Sequence, residues 1–341
     1  MANYDWGKAR DWGFSEQARR RESQRLVEEA YSRPPDSSEL EFSHWFGKAN
    51  NGDVEAQNEV GLCYTNAIGV EQDYDEALRW FRKAADQDFD MAIHNVGVSY
   101  EQGRGVLKDE SEALKWYRRA ADLGLASSQY NFAIFNYWGI GCQRNYEVAA
   151  EYFRRAAEQN HTKAEANLGQ CYRMGHGVPA SQEQAFEWTK KAADENYPPA
   201  MVDLGIMFLH GNGVPLDQEE GIRWLTLAAE LGEQVAQRAL GEVFYWGIGV
   251  ERNFPKAFGM FYQAAEAGDA SAQNSVGCCY EDGNGVEKDI DKAVLWYQKS
   301  AKAGDVFGLA SLGDCYLNGR GVENDFEQAA RLYTGRLWKW N

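Results

Sequence analysis

Glycine recurs at Gly61, Gly97, Gly169, Gly205, Gly241, Gly277 and Gly313, each a multiple of 36 residues from the others, with Ala133 in the single gap. A period of this length restricts the chain to stacked supersecondary units, because one unit alone cannot bury its own apolar face. A second column, Gly69, Gly105, Gly141, Gly177, Gly213, Gly249, Gly285 and Gly321, is complete, and Val follows it everywhere except at Cys142. Another glycine lies two residues earlier in every repeat but the first, where Ala67 stands. The product is a Gly-x-Gly-Val loop in register through eight repeats.

Both flanks of the loop read as helix, because small and apolar residues fall at helical rather than alternating spacing. In the first repeat, helix A carries Ala56, Val60, Gly61 and Tyr64 on one face, and helix B carries Ala77, Leu78, Phe81, Ala84 and Ala85. Asp73, Asp109, Asn145, Ser181, Asp217, Asn253, Asp289 and Asp325 form one column of N-cap residues for helix B. Glu76, Glu112, Gln184 and Glu220 follow some of them by three residues, the pattern of a capping box. Gly52, Gly124, Asn160, Asn196, Gly232, Gly268 and Gly304 mark helix-B ends with types that accept the left-handed conformation, and Asp88 is the exception. Glycine inside a helix costs about 1 kcal/mol against alanine, so seven in register imply a close approach that outweighs the penalty. Trp80, Trp116, Tyr152, Trp188, Trp224 and Trp296 supply one aromatic column, and Tyr64, Tyr100, Tyr172, Phe208, Phe244, Tyr280 and Tyr316 another. The fold expected is all-α, a solenoid of eight 36-residue helix-turn-helix repeats.

The pattern Ala-x3-Leu/Val-Gly-x2-Tyr, Gly-x-Gly-Val, Asp-x3-Ala-x2-Trp-Tyr/Phe-x2-Ala-Ala resembles the Sel-one-like repeat, a branch of the tetratricopeptide superfamily, over residues 53 to about 333. The resemblance implies a right-handed α-solenoid adaptor that gathers partner proteins into complexes. Departures are local: Ala133, Asn136 and Cys142 in repeat three, and Met260 and Leu332 in place of Trp.

Residues 37–52 read as a capping half-repeat helix, with Ser38-Glu39-Leu40-Glu41 opening a helix from Phe42 to Asn51. Residues 1–36 form an extension with a helix at Ser15 to Tyr31 and the rings Trp6, Trp12 and Phe14, and residues 334–341 a tail with Trp338 and Trp340. The N-terminal extension reads either as a flexible leader or as an arm that packs on the solenoid or on a partner, and the tail tryptophans either cover the terminal repeat or dock elsewhere.

A formal charge of -17 argues against nucleic acid and anionic membrane, since phosphate surfaces are met by clustered Lys and Arg. No apolar run reaches the roughly 18 residues of a membrane span, and Met1 to Trp6 lack a basic stretch followed by an apolar one, so a cytoplasmic location is expected. Cys63, Cys171, Cys279 and Cys315 share one helix-A column in different repeats, which separates them too widely for disulfides, and all six cysteines are expected as free thiols. His44, His94, His161, His176 and His210 offer no metal-ligand spacing, and His94 and His210 are placed on an exposed face. The Gly-x-Gly loops lack the Lys-Ser/Thr of a phosphate loop and join helix to helix. No cofactor, metal or catalytic constellation is expected; a hydrolase finds no support.

If the repeats stack as tetratricopeptides do, helix-A columns beginning at 55, 58, 62, 65 and 66 face a concave groove. These columns vary while the structural ones repeat, which leaves them free for recognition. The candidate partner-binding residues are Tyr130, Ile134, Tyr137, Trp138, Arg173, Val202, Ile206, Leu209, Arg238, Tyr245 and Trp246, with Arg173 and Arg238 as isolated positive charges. The function expected is an adaptor holding an extended or helical segment of another protein; an immunity protein or inhibitor neutralising a basic effector is the alternative.

Overall fold

The computed structural model describes residues 37–337; the expected Ser15 to Tyr31 helix, Trp6, Trp12, Phe14, Trp338 and Trp340 lie outside them. Among the described residues are 17 helices and no strand, paired as helix A and helix B of eight repeats after one lone helix, an all-α solenoid. Helix A of repeat one is Val54–Asn66 and helix B is Tyr74–Ala85, and the later repeats follow the same plan. The chain divides into two compact units between Ala120 and Ala121.

All eight N-cap side chains accept a helix-B backbone N–H: Asp73 from Asp75 and Glu76, Asp109 from Glu112, Asn145 from Val148, Ser181 from Gln184, Asp217 from Glu220, Asn253 from Lys256, Asp289 from Lys292, Asp325 from Gln328. The reciprocal half of the capping box is absent. Each cap residue instead donates its own N–H to a helix-A carbonyl, as Asp73 to Tyr64 at 3.1 Å and Asp289 to Tyr280 at 2.8 Å. Glu112 is thereby released to pair with Lys115, and Glu220 with Arg223. The cap thus ties helix B to helix A as well as starting it.

Asp88 is an exception in residue type and not in geometry: its φ is 58°, in line with Asn160 at 60° and Asn196 at 57°. The two loop glycines differ in how binding their constraint is. Ala67 replaces the first at φ 57°, which a short side chain tolerates. The second admits nothing: at Gly105 a Cβ would collide with the Tyr74 carbonyl, and at Gly213 with the Gln182 carbonyl, so this glycine is where one repeat's loop rests on the preceding helix B.

The helix-A glycines approach mainly side chains. A Cβ at Gly241 would lie 2.6 Å from the Phe261 ring, at Gly205 2.8 Å from Leu225, and at Gly169 2.6 Å from the Thr189 hydroxyl. Ala133 is fully buried in the same column, and Asn136 donates back to the Phe132 carbonyl at 2.8 Å. Helix B then carries a basic residue over its own large ring: Lys83 over Trp80 at 3.7 Å, Lys191 over Trp188 at 4.0 Å, Lys299 over Trp296 at 3.7 Å.

The lone helix runs Ser37–Asn50, starting ahead of the expected Phe42. Ser38 to Glu41 therefore lie inside its first turns. Its start is placed by the loop after it, where Gly69 leaves room for the Ser38 carbonyl. Phe42, Trp45 and Phe46 pack around Ala56, Val60 and Trp80 of repeat one.

Candidate protein-interaction face

The five variable helix-A columns divide by burial. The column Asn58, His94, Tyr130, Ala166, Val202, Arg238, Asn274, Ala310 has no exposed member, and neither has the column from Leu62 to Asp314. His94 is half-buried beside Tyr117, contrary to the exposed placement expected, and burial lowers its pKa to about 4. The column Asn66, Gln102, Trp138, Met174, His210, Trp246, Asp282, Asn318 is exposed throughout. It is the last residue of helix A, just before the left-handed turn.

Packing does dictate part of the column Thr65, Glu101, Tyr137, Arg173, Leu209, Tyr245, Glu281, Leu317: Glu101, Tyr137, Tyr245 and Glu281 each pair with the helix-B residue 16 positions on. Where helix B offers a tyrosine hydroxyl, helix A offers a carboxylate: Tyr117 donates to Glu101, and Tyr297 to Glu281 at 2.7 Å. Where helix B offers Phe153 or Phe261, helix A lays Tyr137 or Tyr245 beside it, both at 6.2 Å between centroids. A buried hydroxyl needs a partner and a buried ring needs a ring, so variation here records pairing within the repeat.

Among the candidate residues, Trp138, Trp246 and Arg173 are exposed, the two tryptophans at 65% and 62%. Tyr130, Ile134, Tyr137, Ile206 and Tyr245 are half-buried against the core. Val202 and Leu209 are corrections: at 4% and 6% exposure they belong to the apolar core of repeats five and six and offer no surface. Leu209 fills the space left by Gly221 on helix B, where a Cβ would meet it at 2.9 Å. Arg238 is also corrected. It is held by Glu242 at 2.6 Å and Asp269 at 3.4 Å, so it is no isolated charge.

Two stations emerge, three repeats apart. In repeat three Tyr137 stands edge-on to Trp138 at 5.1 Å and to Tyr146 at 5.0 Å, and its hydroxyl meets His176 Nδ1 at 2.8 Å. In repeat six Tyr245 stands edge-on to Trp246 at 4.9 Å and to Phe254 at 5.1 Å, and accepts from Asn284 Nδ2 at 2.8 Å. Met174, 55% exposed, lies between them in the same column. A cavity of about 290 Å³ adjoins the first station, lined by Tyr137, Trp138, Ala166, Asn167, Gln170, Tyr197, Pro199, Ala200 and Asp203. Burial pushes the Asp203 carboxyl above the usual carboxylate range, against the pull of Arg173 and a hydrogen bond from Gln170.

All six cysteines are free, and burial pushes the Cys171 and Cys279 thiols up to about 12. Among the described residues no cluster of three or more His, Cys, Asp or Glu could hold a metal, and no helix is long and apolar enough to cross a membrane.

An array of eight helical hairpins with tryptophans exposed at the ends of two A helices has the architecture of a repeat scaffold. The Sel1 repeat model matches at residues 54–89, 90–125, 126–161, 162–197, 198–233, 234–269, 270–305 and 307–334, and the chain belongs to the Sel1 repeat family. Proteins of this family are generally protein-interaction scaffolds and not enzymes. Among solved structures the chain is similar to a protective antigen of uropathogenic Escherichia coli strains with an SLR fold, at 32% identity and TM-score 0.70 over 88% of this chain and 64% of that one. The chain thus spans less than two thirds of that antigen. It is also similar to a Sel1 repeat protein from Oxalobacter formigenes, at 34% identity and TM-score 0.65 over 83% of this chain and 82% of that one. An immunity protein from Pseudomonas aeruginosa matches at 24% identity and TM-score 0.46, over 62% of this chain and 81% of that one, a likeness too loose to bear on function. No curated protein matches the chain.

Proposed function

We propose that this protein is a cytoplasmic adaptor that captures a segment of a partner protein on the helix-A surface of repeats three to six, without nucleic acid, membrane insertion or cofactor. The observation that carries the reading is the pair Trp138 and Trp246, each more than half exposed and each backed by a tyrosine that fixes its setting. Large rings exposed in register are costly to leave in water and are the residue type that concentrates interface energy. Six free thiols support a reducing compartment.

Affinity capture with Trp138→Ala/Trp246→Ala tests it. At about 2 kcal/mol or more per anchor, the pair should weaken capture on the order of a thousandfold. Leu231→Ala/Leu295→Ala, which trims two residues exposed on helix B and at its end, should leave capture unchanged. Equal capture by both variants would place recognition elsewhere. The charge of -17 supports a second version, inhibition of one basic effector; recovery of several acidic or neutral components would sink that version.

A further inference from the structure

The tryptophan at the first station stands beside a cavity with one carboxylate in its wall. We propose that this cavity receives a cationic side chain, lysine or arginine, of the partner, with the Trp138 and Tyr197 rings beside the charge and the Asp203 carboxylate facing it. The proposal rests on the adaptor reading and adds the chemistry of the segment bound.

Size is the first argument: about 290 Å³ lies at the low end for ligand sites, the space of one long side chain rather than a cofactor. The second is the state of Asp203. Its carboxylate is largely withdrawn from water, is hydrogen-bonded by the neutral Gln170, and feels Arg173 only through the field. A carboxylate so placed gains from an entering cation, because burial of a charge is offset chiefly by a counter-charge. The third is Trp138 itself. Trp80, Trp188 and Trp296 each carry a lysine of their own chain over the ring, whereas among the described residues no cation lies over Trp138. Indole is the side chain that holds a cation best.

Repeat six supplies an internal control. Its rings match, but Ser311 stands where repeat five has Asp203, and Cys278 where repeat four has Gln170. Its nearest equivalent carboxylate, Asp305 at the position of Tyr197, is already used by Ser271 at 2.9 Å, Gly308 N–H at 2.7 Å and Ser300 at 3.2 Å. The Trp246 station therefore has the apolar surface, but its carboxylate has its oxygens committed to three donors of its own chain.

The test is a titration of the full chain, read at the tryptophan indole N–H resonances by 15N-edited NMR, with Trp138→Phe and Trp246→Phe assigning the two peaks. The probes are the Nα-acetyl methylamides of lysine, arginine and norleucine. The lysine and arginine probes should shift the Trp138 indole saturably, norleucine should not, and the Trp246 indole should stay in place. Asp203→Asn, which keeps the shape and the Gln170 contact, should weaken binding at least about tenfold, while Arg173→Ala should tighten it. A saturable norleucine response equal to that of lysine, or unchanged affinity in Asp203→Asn, overturns the proposal. So does absence of any saturable shift, and if Trp138→Ala/Trp246→Ala still loses partner capture, the adaptor reading survives that failure. Cation binding with undiminished capture by the double variant sinks the adaptor reading, and the partner as the occupant with it.

Discussion

Repeats three and six share the stretch Tyr-Trp-Gly-Ile-Gly, at Tyr137 to Gly141 and Tyr245 to Gly249, and their rings stack with nearly the same separations. What differs is the surroundings. The tyrosine hydroxyl meets His176 in one and Asn284 in the other, and Ala133 sits over Phe153 where Gly241 sits over Phe261. A repeat therefore sets the local ring geometry by itself, while the chemistry around each ring comes from the repeats that follow.

The largest effect expected is from Gly241→Val. The added side chain would enter a space where even a Cβ lies 2.6 Å from the Phe261 ring, and overpacking of this kind costs about 3 kcal/mol. Ala133→Val, with one Cβ already accommodated in repeat three, should cost distinctly less. Urea midpoints of the two variants compare them directly; equal losses would mean that the two helix pairs are spaced alike.

Tyr137→Ala and Tyr245→Ala come next, each removing a half-buried ring from an aromatic stack, at about 2 to 3 kcal/mol. The two losses should agree within about 0.5 kcal/mol if the stations are structurally equivalent. A wide gap in chemical denaturation would break the comparison.

The hydroxyl partners should differ. His176→Ala forfeits the contact with Tyr137 and a ring stacked on Tyr146 at 4.3 Å, about 2 kcal/mol together. Asn284→Ala forfeits one hydrogen bond to Tyr245, about 1 kcal/mol. The reverse order in thermal midpoints would show that the stack contributes nothing. Smallest of all, Trp138→Ala and Trp246→Ala should each change stability by no more than about 0.5 kcal/mol, since both rings are mostly in water. A loss comparable to that of the adjacent tyrosine would make these rings structural and remove the basis for the interaction face.

The period, the eight caps and the glycine columns were legible in the sequence because each is a local requirement repeated along the chain. Helix capping, left-handed φ and a steric ceiling on a side chain act within one hairpin or at its seam with the preceding one, so the same residue type returns at the same place. The face proposed for binding was legible only in part. Variation singled out helix A, but it mixed exposed positions, such as Trp138 and Met174, with positions that vary because their partner does, such as Glu101 with Tyr117 and Tyr137 with Phe153.

The sequence by itself determined the period, the hairpin and the small residues on which helices close, since these follow from backbone geometry and volume. Only the tertiary structure decided that Val202 and Leu209 are core, that Arg238 is paired, and that Asp203 from repeat five shares a cavity with Trp138 from repeat three. Burial and charge pairing depend on which side chains of the same hairpin and of the repeats after it reach the same space, and the period of the sequence does not carry that information.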